Sequence, residues 1–359
     1  DPGQVRFTLA KLLPAAGGNS SYWQSYINRT ETKGAGAWGA GGTAIPANSE
    51  SNGTLVYHLD GTYRYTFAND VTNVTSPIAV SWQPTLTHRL GVQISGGGQP
   101  VTNATYDWRP SDGATTGLVA RDIVATASCN ECHSKLAEHG GGRVETKYCV
   151  TCHNPGTTDA NSGNTVDFKV MIHKIHRGEF LPSVEAGGQY EIWGNSDSEH
   201  DFSDVVLPQD IRNCTKCHDA ADAATPQAGN WETVPTIQAC GSCHDDVDFA
   251  TGAGHSTGIV ASNGECTVCH REASAAPTVA EAHLIADKVV GVNYALNIIS
   301  VGNTAPGQFP VVTYEVTNPT AGNARYNILN NADPVWSNGS VSILLGWNNG
   351  DHTNLGNGS

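Results

Sequence analysis

The chain has 359 residues, and its 34 Asp and Glu outnumber its 19 Lys and Arg to give a formal net charge of -15. This acidity argues against a nucleic-acid partner, because phosphates bind basic surfaces. The length predicts two or three domains, and no stretch approaches the roughly 18 apolar residues that a membrane-spanning helix needs. The opening DPGQVRFTLA has neither the basic nor the apolar region of a signal peptide, so the sequence as given predicts none.

Residues 1 to about 120 have the pattern of an antiparallel β domain. In GTLVYHLDGTYRYTFAND, Asp60 and Gly61 separate two runs of β-branched and aromatic residues, which predicts a hairpin. The strand-like runs SPIAVSW, THRLGVQIS and TNATYDWRP follow at short spacing. We therefore predict a small sandwich or barrel, with Trp23 and Tyr26 of YWQSYIN in its core.

All ten cysteines lie in five Cys-x-x-Cys-His units between residues 121 and 288. This spacing is the attachment pattern of c-type haem, in which both thiols bind one haem covalently and the adjacent histidine ligates its iron. The sequence therefore predicts five covalent haems. The units are Cys129, Cys132 and His133; Cys149, Cys152 and His153; Cys214, Cys217 and His218; Cys240, Cys243 and His244; and Cys266, Cys269 and His270.

Zinc ribbons and redox disulfides also use Cys-x-x-Cys pairs. Four-cysteine zinc sites would use eight of the ten cysteines and leave one pair over. Neither alternative explains a histidine directly after every unit, so covalent haem is the favoured interpretation.

An iron that only transfers electrons usually carries a protein ligand on both faces, so five further ligands are needed. Six of the nine remaining histidines lie inside the haem-bearing segment, of which five are the candidates and His200 is their main competitor. Two of the candidates form MIHKIH, three residues apart on one predicted helix face. His58 and His88, in the β region, are interpreted as structural. The candidate distal ligands are His139, His173, His176, His255 and His283.

The haem-bearing segment is too short to surround five haems with a conventional side-chain core. We expect the macrocycles to form the core, with short helices and loops around them. The residues from 289 to 359 again have strand-like runs, NYALNIISVG, FPVVTYEVTN and GSVSILLGW. DPVWSNGSVSILLGW also resembles the opening of the chain, which indicates the start of a second β domain. Main-chain ladder bonds are then expected between 294–318 and 340–347.

The order of these features resembles the first half of the OmcA/MtrC family of outer-membrane multihaem cytochromes. The strings that carry the resemblance are YWQSYIN, DGTYRYTF, YDWRPSDG, HGGGR, YCVTCHN, MIHKIHRG and PQDIRNCTKCH. The resemblance implies three domains: a β split barrel or Greek-key sandwich (1–120), a pentahaem c-type domain with short helices and little regular structure (121–288), and part of a second β domain (289–359). It also implies that the five candidate histidines are the distal ligands. The second haem cluster and the lipid-anchor cysteine of the family are not in this sequence.

The resemblance further implies extracellular electron transfer, with metal oxides or soluble shuttles such as flavins as acceptors. The expected partners are other multihaem cytochromes or an outer-membrane porin–cytochrome conduit. The expected location is the extracellular face of the bacterial outer membrane, or a secreted or filament form. The residues leave open whether the chain is itself a metal reductase.

Two alternatives belong to other classes of protein. A multihaem reductase of nitrite or sulfur compounds would need an iron with an open face, and five spare histidines argue against one. A subunit of a conducting filament would use its β domains to complete those of its neighbours. Strand pairing of 294–318 with residues 5–12 or 54–67 would favour that filament.

The first prediction concerns haem number. Denaturing intact-mass measurement of the mature protein should give the polypeptide plus five haems, because all ten cysteines lie in attachment units. The bare polypeptide, or a mass with fewer than five haems, would contradict it.

Overall fold

A computed structural model of the protein describes residues 4–37, 39–98, 100–274, 276–329 and 340–346. The chain divides into two compact units, Asp1–His283 and Leu284–Ser359. The predicted boundary at 120 falls inside the first of these units. Within the described ranges, no helix combines the length and the hydrophobicity of a membrane span.

The first unit begins with an antiparallel β domain. Four strands form one sheet in the order β2-β1-β7-β8, while β3 with β4 and β5 with β6 form separate two-stranded ladders. The run SPIAVSW, expected as a strand, contributes only the isolated bridge between Val74 and Val80, since its proline cannot donate to a ladder. The strands are β1 (Val5–Leu13), β2 (Tyr22–Ser25), β3 (Glu31–Thr32), β4 (Thr43–Ala44), β5 (Thr54–Tyr57), β6 (Tyr63–Thr66), β7 (His88–Ile94) and β8 (Thr102–Trp108).

Strand β1 is buried on both of its faces from Phe7 to Leu12, although Thr8 and Lys11 interrupt its apolar residues. Leu9 packs into the core of the β domain on one side. Ala10 and Leu12 pack on the opposite side, toward the segment that follows the β domain. Trp23 and Tyr26 are 2% and 1% exposed, which confirms both as core residues.

The predicted hairpin is confirmed, with Tyr57 opposite Tyr63 in its register. Asp60 Oδ1 accepts hydrogen bonds from the backbone N–H and the hydroxyl of Thr62. Gly61 has a φ of 91°, a conformation that glycine adopts without strain. The local turn chemistry therefore sets the turn of this hairpin, and Tyr65 attaches it to the sheet by stacking on Phe7 of β1 with ring centroids 3.9 Å apart.

From residue 121 to 283 the unit consists of short helices, short 3₁₀ turns and loops. Its longest helix carries the MIHKIH string, as predicted, and Met171 of that helix is buried by packing. The helices are α1 (Thr126–Asn130), α2 (Thr146–Cys149), α3 (Phe168–Arg177), α4 (Pro182–Glu185), α5 (Asn230–Thr233), α6 (Ile237–Cys240), α7 (Asn263–Cys269) and α8 (Val279–Ala282), and a two-stranded ladder is formed by β9 (Glu191–Trp193) and β10 (Glu199–Asp201).

A buried arginine joins the sheet to this helical segment. The Arg89 guanidinium on β7 has no exposed surface, and it lies 2.7 Å from Asp107 Oδ2 and 3.1 Å from Asp122 Oδ1. It also stacks 4.3 Å from the ring of Trp23, while Lys147 Nζ lies 3.1 Å from the other oxygen of Asp122. Removing one member of such a buried network costs about 3–5 kcal/mol, because the remaining charges lose their partners. The network therefore holds residues 107, 122 and 147 in fixed relation.

The sheet also packs directly on helix α2. Thr8 Oγ1 and Thr151 Oγ1 are 2.8 Å apart and buried. The ring of Tyr148, which is fully buried, occupies the space beside Gly91 on β7. Glycine is needed there for close approach rather than for an unusual backbone angle.

The second unit contains α9 (Ala286–Gly291) and the strands β11 (Ala295–Gly302), β12 (Val311–Asn318) and β13 (Ala324–Arg325). The three strands form an antiparallel sheet in the order β11-β12-β13. The rings of Tyr294 and Tyr326 lie 5.1 Å apart. The two strands predicted from NYALNIISVG and FPVVTYEVTN are thus confirmed.

The expected strand in GSVSILLGW is wrong for residues 340–346, which belong to no strand. Residues 339 and 347 lie outside the described residues. Among the described residues, the ladders of β11 and β12 lie within 295–325, so the expected ladder to 340–347 is not formed there. A run of aliphatic residues becomes a strand only when a partner edge is available in register, and composition alone does not supply that edge.

The close approach at Gly91 gives a stability prediction. A Cβ added there would lie 2.3 Å from Thr8 Oγ1 and 2.7 Å from Tyr148 Cδ2. We expect Gly91→Ala to lower the free energy of unfolding by about 1–3 kcal/mol through overpacking, as measured by denaturant unfolding of the haem-loaded protein. Gly42→Ala is the control, since a Cβ there meets no atom within 4 Å. Equal stability of the two variants would contradict the prediction.

Candidate haem sites

The five Cys-x-x-Cys-His units share one backbone conformation. In each unit the histidine N–H donates to the carbonyl of the first cysteine, at 2.9 or 3.0 Å. One helical turn therefore places both thiols and the imidazole on the same side, since positions i, i+3 and i+4 share a face. We number the units as sites 1 to 5 in chain order, so that site 1 contains Cys129, site 2 Cys149, site 3 Cys214, site 4 Cys240 and site 5 Cys266.

Each motif histidine faces one of the five candidate distal histidines. The ring centroids of the five pairs are between 5.7 and 6.5 Å apart, and no candidate is used twice. The sequence had left this pairing open. The pairs are His133 with His176 at site 1, His153 with His139 at site 2, His218 with His173 at site 3, His244 with His283 at site 4, and His270 with His255 at site 5.

These separations fit an iron between two imidazoles. Metal–nitrogen bonds of about 2 Å on each face would put the two nitrogens about 4 Å apart and the ring centroids roughly 6 Å apart. The one Nε2–Nε2 distance within contact range, between His139 and His153, is 3.4 Å. The donor set therefore fits haem iron at each site. At site 2 the two imidazoles would need to move slightly apart to admit the iron.

Half of these ten imidazoles hold Nδ1 against a backbone carbonyl oxygen, at 2.7–2.9 Å. Because a carbonyl only accepts, Nδ1 carries the proton and Nε2 keeps its lone pair for a metal. The same hydrogen bond fixes the orientation of the ring. The histidines and their acceptors are His153 with Val166, His176 with Ile172, His255 with Ile259, His270 with Pro277 and His283 with Val279.

Burial sets the protonation of these groups. It lowers the pKa of His153 and of His173 to about 4 and that of His139 to about 3, which favours the neutral imidazole that binds metals. It raises the pKa of Cys129 to about 11 and that of Cys149 to about 12. Such thiols do not suit a reactive redox pair. In the part of the chain that the structure describes, no three Cys, His, Asp or Glu side chains cluster as metal ligands.

The remaining histidines have other surroundings. His200 is exposed on β10, where its Nε2 lies 3.3 Å from Ser198 Oγ. His88 is buried, with Nε2 2.8 Å from the Tyr26 hydroxyl and Nδ1 3.0 Å from a carbonyl, which confirms a structural role. His58 is exposed in the hairpin, and His352 lies outside the described residues.

Helix α3 connects three of the sites. His173 and His176 face sites 3 and 1, and Lys174 between them lies 2.6 Å from Asp245, the residue after the site 4 histidine. Asp245 also accepts hydrogen bonds from Ser183. On the same helix, Arg177 Nε is buried without a hydrogen-bond partner among the described residues. A haem propionate would supply the acceptor that this buried N–H lacks.

The HGGGR string builds the distal side of site 2. His139 has a φ of 53°, and two left-handed glycines follow it. Glu138 and Arg143 close the turn with a pair of main-chain hydrogen bonds at 2.9 and 3.1 Å. Asn103 of β8 holds the turn by hydrogen bonds to its backbone at 2.7 and 3.1 Å. Sequence reasoning missed Asn103, because nothing in a polar strand residue indicates what it contacts.

Site 2 is also the most enclosed of the five. Cys149 and Cys152 are buried, whereas the other eight cysteines are half-buried or exposed. Cys152 Sγ lies 3.6 Å from the carbonyl oxygen of Asn48 in the β domain. The sheet therefore forms one wall of this site.

Contacts between the segments of different sites give the spatial order of the sites. The backbone N–H of Thr146, next to site 2, donates to Thr126 Oγ1, next to site 1, at 2.9 Å. Glu131 of site 1 pairs with Lys216 of site 3, so these sites are neighbours although site 2 lies between them in sequence.

Two further contacts extend this order. Helix α3, which carries His173 of site 3, reaches site 4 through Lys174 and Asp245, 2.6 Å apart. The backbone N–H of Ile237, next to site 4, donates to Asn263 Oδ1, next to site 5, at 2.6 Å. The order in space is therefore 2-1-3-4-5.

Comparison with known proteins gives consistent matches. The family model of outer membrane cytochrome MtrC/MtrF-like domains II/IV matches residues 121–284, and the OmcA-like N-terminal domain matches residues 15–115. Multiheme cytochrome MtrC of Shewanella baltica (strain OS185) is 32% identical over 244 residues, which are 65% of this chain and 30% of that protein.

Two solved structures resemble the fold. The outer membrane decaheme cytochrome OmcA matches with a TM-score of 0.68 and 29% identity, over 88% of this chain and 47% of OmcA. MtrC from Shewanella baltica OS185 matches with a TM-score of 0.58 and 27% identity, over 90% of this chain and 46% of MtrC. The chain thus spans less than half the length of the relatives it matches.

Repeated Cys-x-x-Cys-His turns, each facing a second imidazole, define a multihaem c-type cytochrome. Together with the matches to both of its predicted domain types, they assign the family. The chain belongs to the OmcA/MtrC family of outer-membrane multihaem cytochromes, and it corresponds to the N-terminal region of that family.

Proposed function

We propose that this chain binds five covalent haems, one at each site, and transfers electrons along the order 2-1-3-4-5. The observation that carries this proposal is the one-to-one pairing of five motif histidines with five others. When bound, each haem supplies an iron that cycles between the ferric and ferrous states one electron at a time.

The residues of this chain would set the conditions for that transfer. The ten cysteines would fix each ring covalently, and the paired imidazoles would occupy both faces of each iron. Two strong ligands favour the low-spin state and exclude small molecules, so that only electrons pass. Helix α3 would keep sites 1 and 3 close together, because His173 and His176 lie one turn apart.

The domain layout follows the same proposal. Residues 1–120 would form the β domain, 121–288 the pentahaem domain and 289–359 part of a second β domain. The family matches at 15–115 and 121–284 support the first two. The helices of the second segment have four to ten residues, as expected where cofactors replace a side-chain core.

The family also supports the cellular role. We propose electron transfer at the extracellular face of the outer membrane, to metal oxides or to soluble shuttles such as flavins. Other multihaem cytochromes or a porin–cytochrome conduit would supply the electrons. A reductase with an open iron is disfavoured, because every motif histidine already faces a second imidazole.

The pairing is tested by removing one distal histidine. We expect His173→Ala to convert one haem of five, the one at site 3, from low spin to high spin and to let the reduced protein bind carbon monoxide there. Electron paramagnetic resonance and carbon monoxide difference spectra measure both changes.

His200→Ala is the matched control, since His200 was the competing candidate and faces no motif histidine in the structure. It should leave all five irons low-spin. The proposal fails if the unaltered protein is already high-spin, if His173→Ala changes nothing, or if His200→Ala opens an iron.

A further inference from the structure

Arg143 stands close to every group that would hold the haem of site 2. It closes the turn that carries His139. Its Nε lies 3.3 Å from Gln93 Oε1, and its guanidinium lies 5.9 Å from the ring centroid of Tyr148, next to Cys149. Among the ion pairs of the described residues, Arg143 has no carboxylate partner. No carboxylate therefore neutralises its positive charge beside site 2.

The electrostatics of site 2 agree with this geometry. After burial, Arg143 is the leading charged influence that lowers the pKa values of His139, Cys149 and Cys152. It acts in the same direction on His153. Arg143 thus acts on all four protein groups that would contact one haem, and Arg29 acts in the same direction on His139 and Cys152.

Carboxylates approach the attachment cysteines of three other sites. Burial is the largest cause that raises the pKa of Cys266 at site 5 and of Cys214 at site 3. Glu265 raises the first pKa further, and Asp210 the second. At site 4 the charges are mixed, because Asp245 opposes the effect of neighbouring cations on Cys243. Site 2 is distinct in combining an uncompensated arginine with buried cysteines.

We propose that Arg143 and the overlying sheet give the haem at site 2 the highest reduction potential of the five. This inference rests on the proposed function. Reduction lowers the positive charge of the haem iron by one, so a nearby cation favours the ferrous form, and exclusion of water favours it further. With haems bound, one electron would pass from a ferrous iron at site 1 to a ferric iron at site 2, with no bond made or broken. The reduced state is most stable at the end of the order that lies against the β domain.

The test is a spectroelectrochemical titration of the Arg143→Gln protein. One haem of the five, seen as about a fifth of the absorbance change, is reduced at the most positive potential. The midpoint potential of this component should become lower. We expect the ratio of reduced to oxidised haem at fixed potential to fall about tenfold, which is about 59 mV for one electron. The other four fifths should not move. Arg143→Lys should restore most of the potential, and Arg64→Gln, an exposed arginine on β6, should have no effect.

Two further variants keep the test decisive. Gln93→Glu would place a carboxylate beside Arg143 with little change of shape, and it should lower the same component even if Arg143→Gln folds poorly. His139→Ala should mark site 2 with a high-spin signal. Adding Arg143→Gln to it should then shift the potential at which that signal disappears.

Three outcomes would overturn the inference: an unchanged titration, a shift confined to the most negative components, or an equal shift of all five. Intact mass and spin state are measured on the same samples. Fewer than five haems, or high-spin iron in the unaltered protein, would instead overturn the proposed function and this inference with it.

Discussion

The opposition of two imidazoles at each site is the constraint on which the rest of this structure depends. The attachment unit supplies one imidazole locally, but the second must come from elsewhere in the chain. His176 lies opposite His133, and His255 lies before the unit it faces. Each pair closes a loop of the chain, so five pairs impose a compact path on a segment with few buried apolar residues. Cross-links through the proposed haems would take over the stabilising role that a side-chain core has in other domains.

The β domain takes part in this arrangement through side chains on one face of its sheet. Thr8 and Gly91 accommodate helix α2, and Asn103 holds the turn that carries His139. Their contacts all converge on site 2. This explains why the sheet and the haem-bearing segment form one compact unit, although their sequence patterns differ so clearly.

Local chemistry made much of this fold and of the sites predictable. The Cys-x-x-Cys-His spacing, the Asp60-Gly61 turn and helix α3 depend on neighbours within a few residues, and all three follow from the sequence. The pairing of histidines depends on the path of the whole chain, which periodicity does not contain. For the same reason the roles of Asn103 and Arg143 were missed. The strand expected in residues 340–346 was wrong because strand formation needs a partner edge.

The charge of the chain illustrates the difference between global and local information. A net charge of -15 favours the more positive, oxidised state of every haem. At physiological ionic strength, however, exposed charges are screened beyond about 8 Å, whereas charges beside a buried group are screened much less. The potential at each site therefore depends on the few ionic groups packed against it. Arg143 at site 2 and Glu265 at site 5 act in opposite directions at the two ends of the spatial order. An acidic protein can in this way hold a site that favours reduction, and the fold decides at which end of the order that site lies.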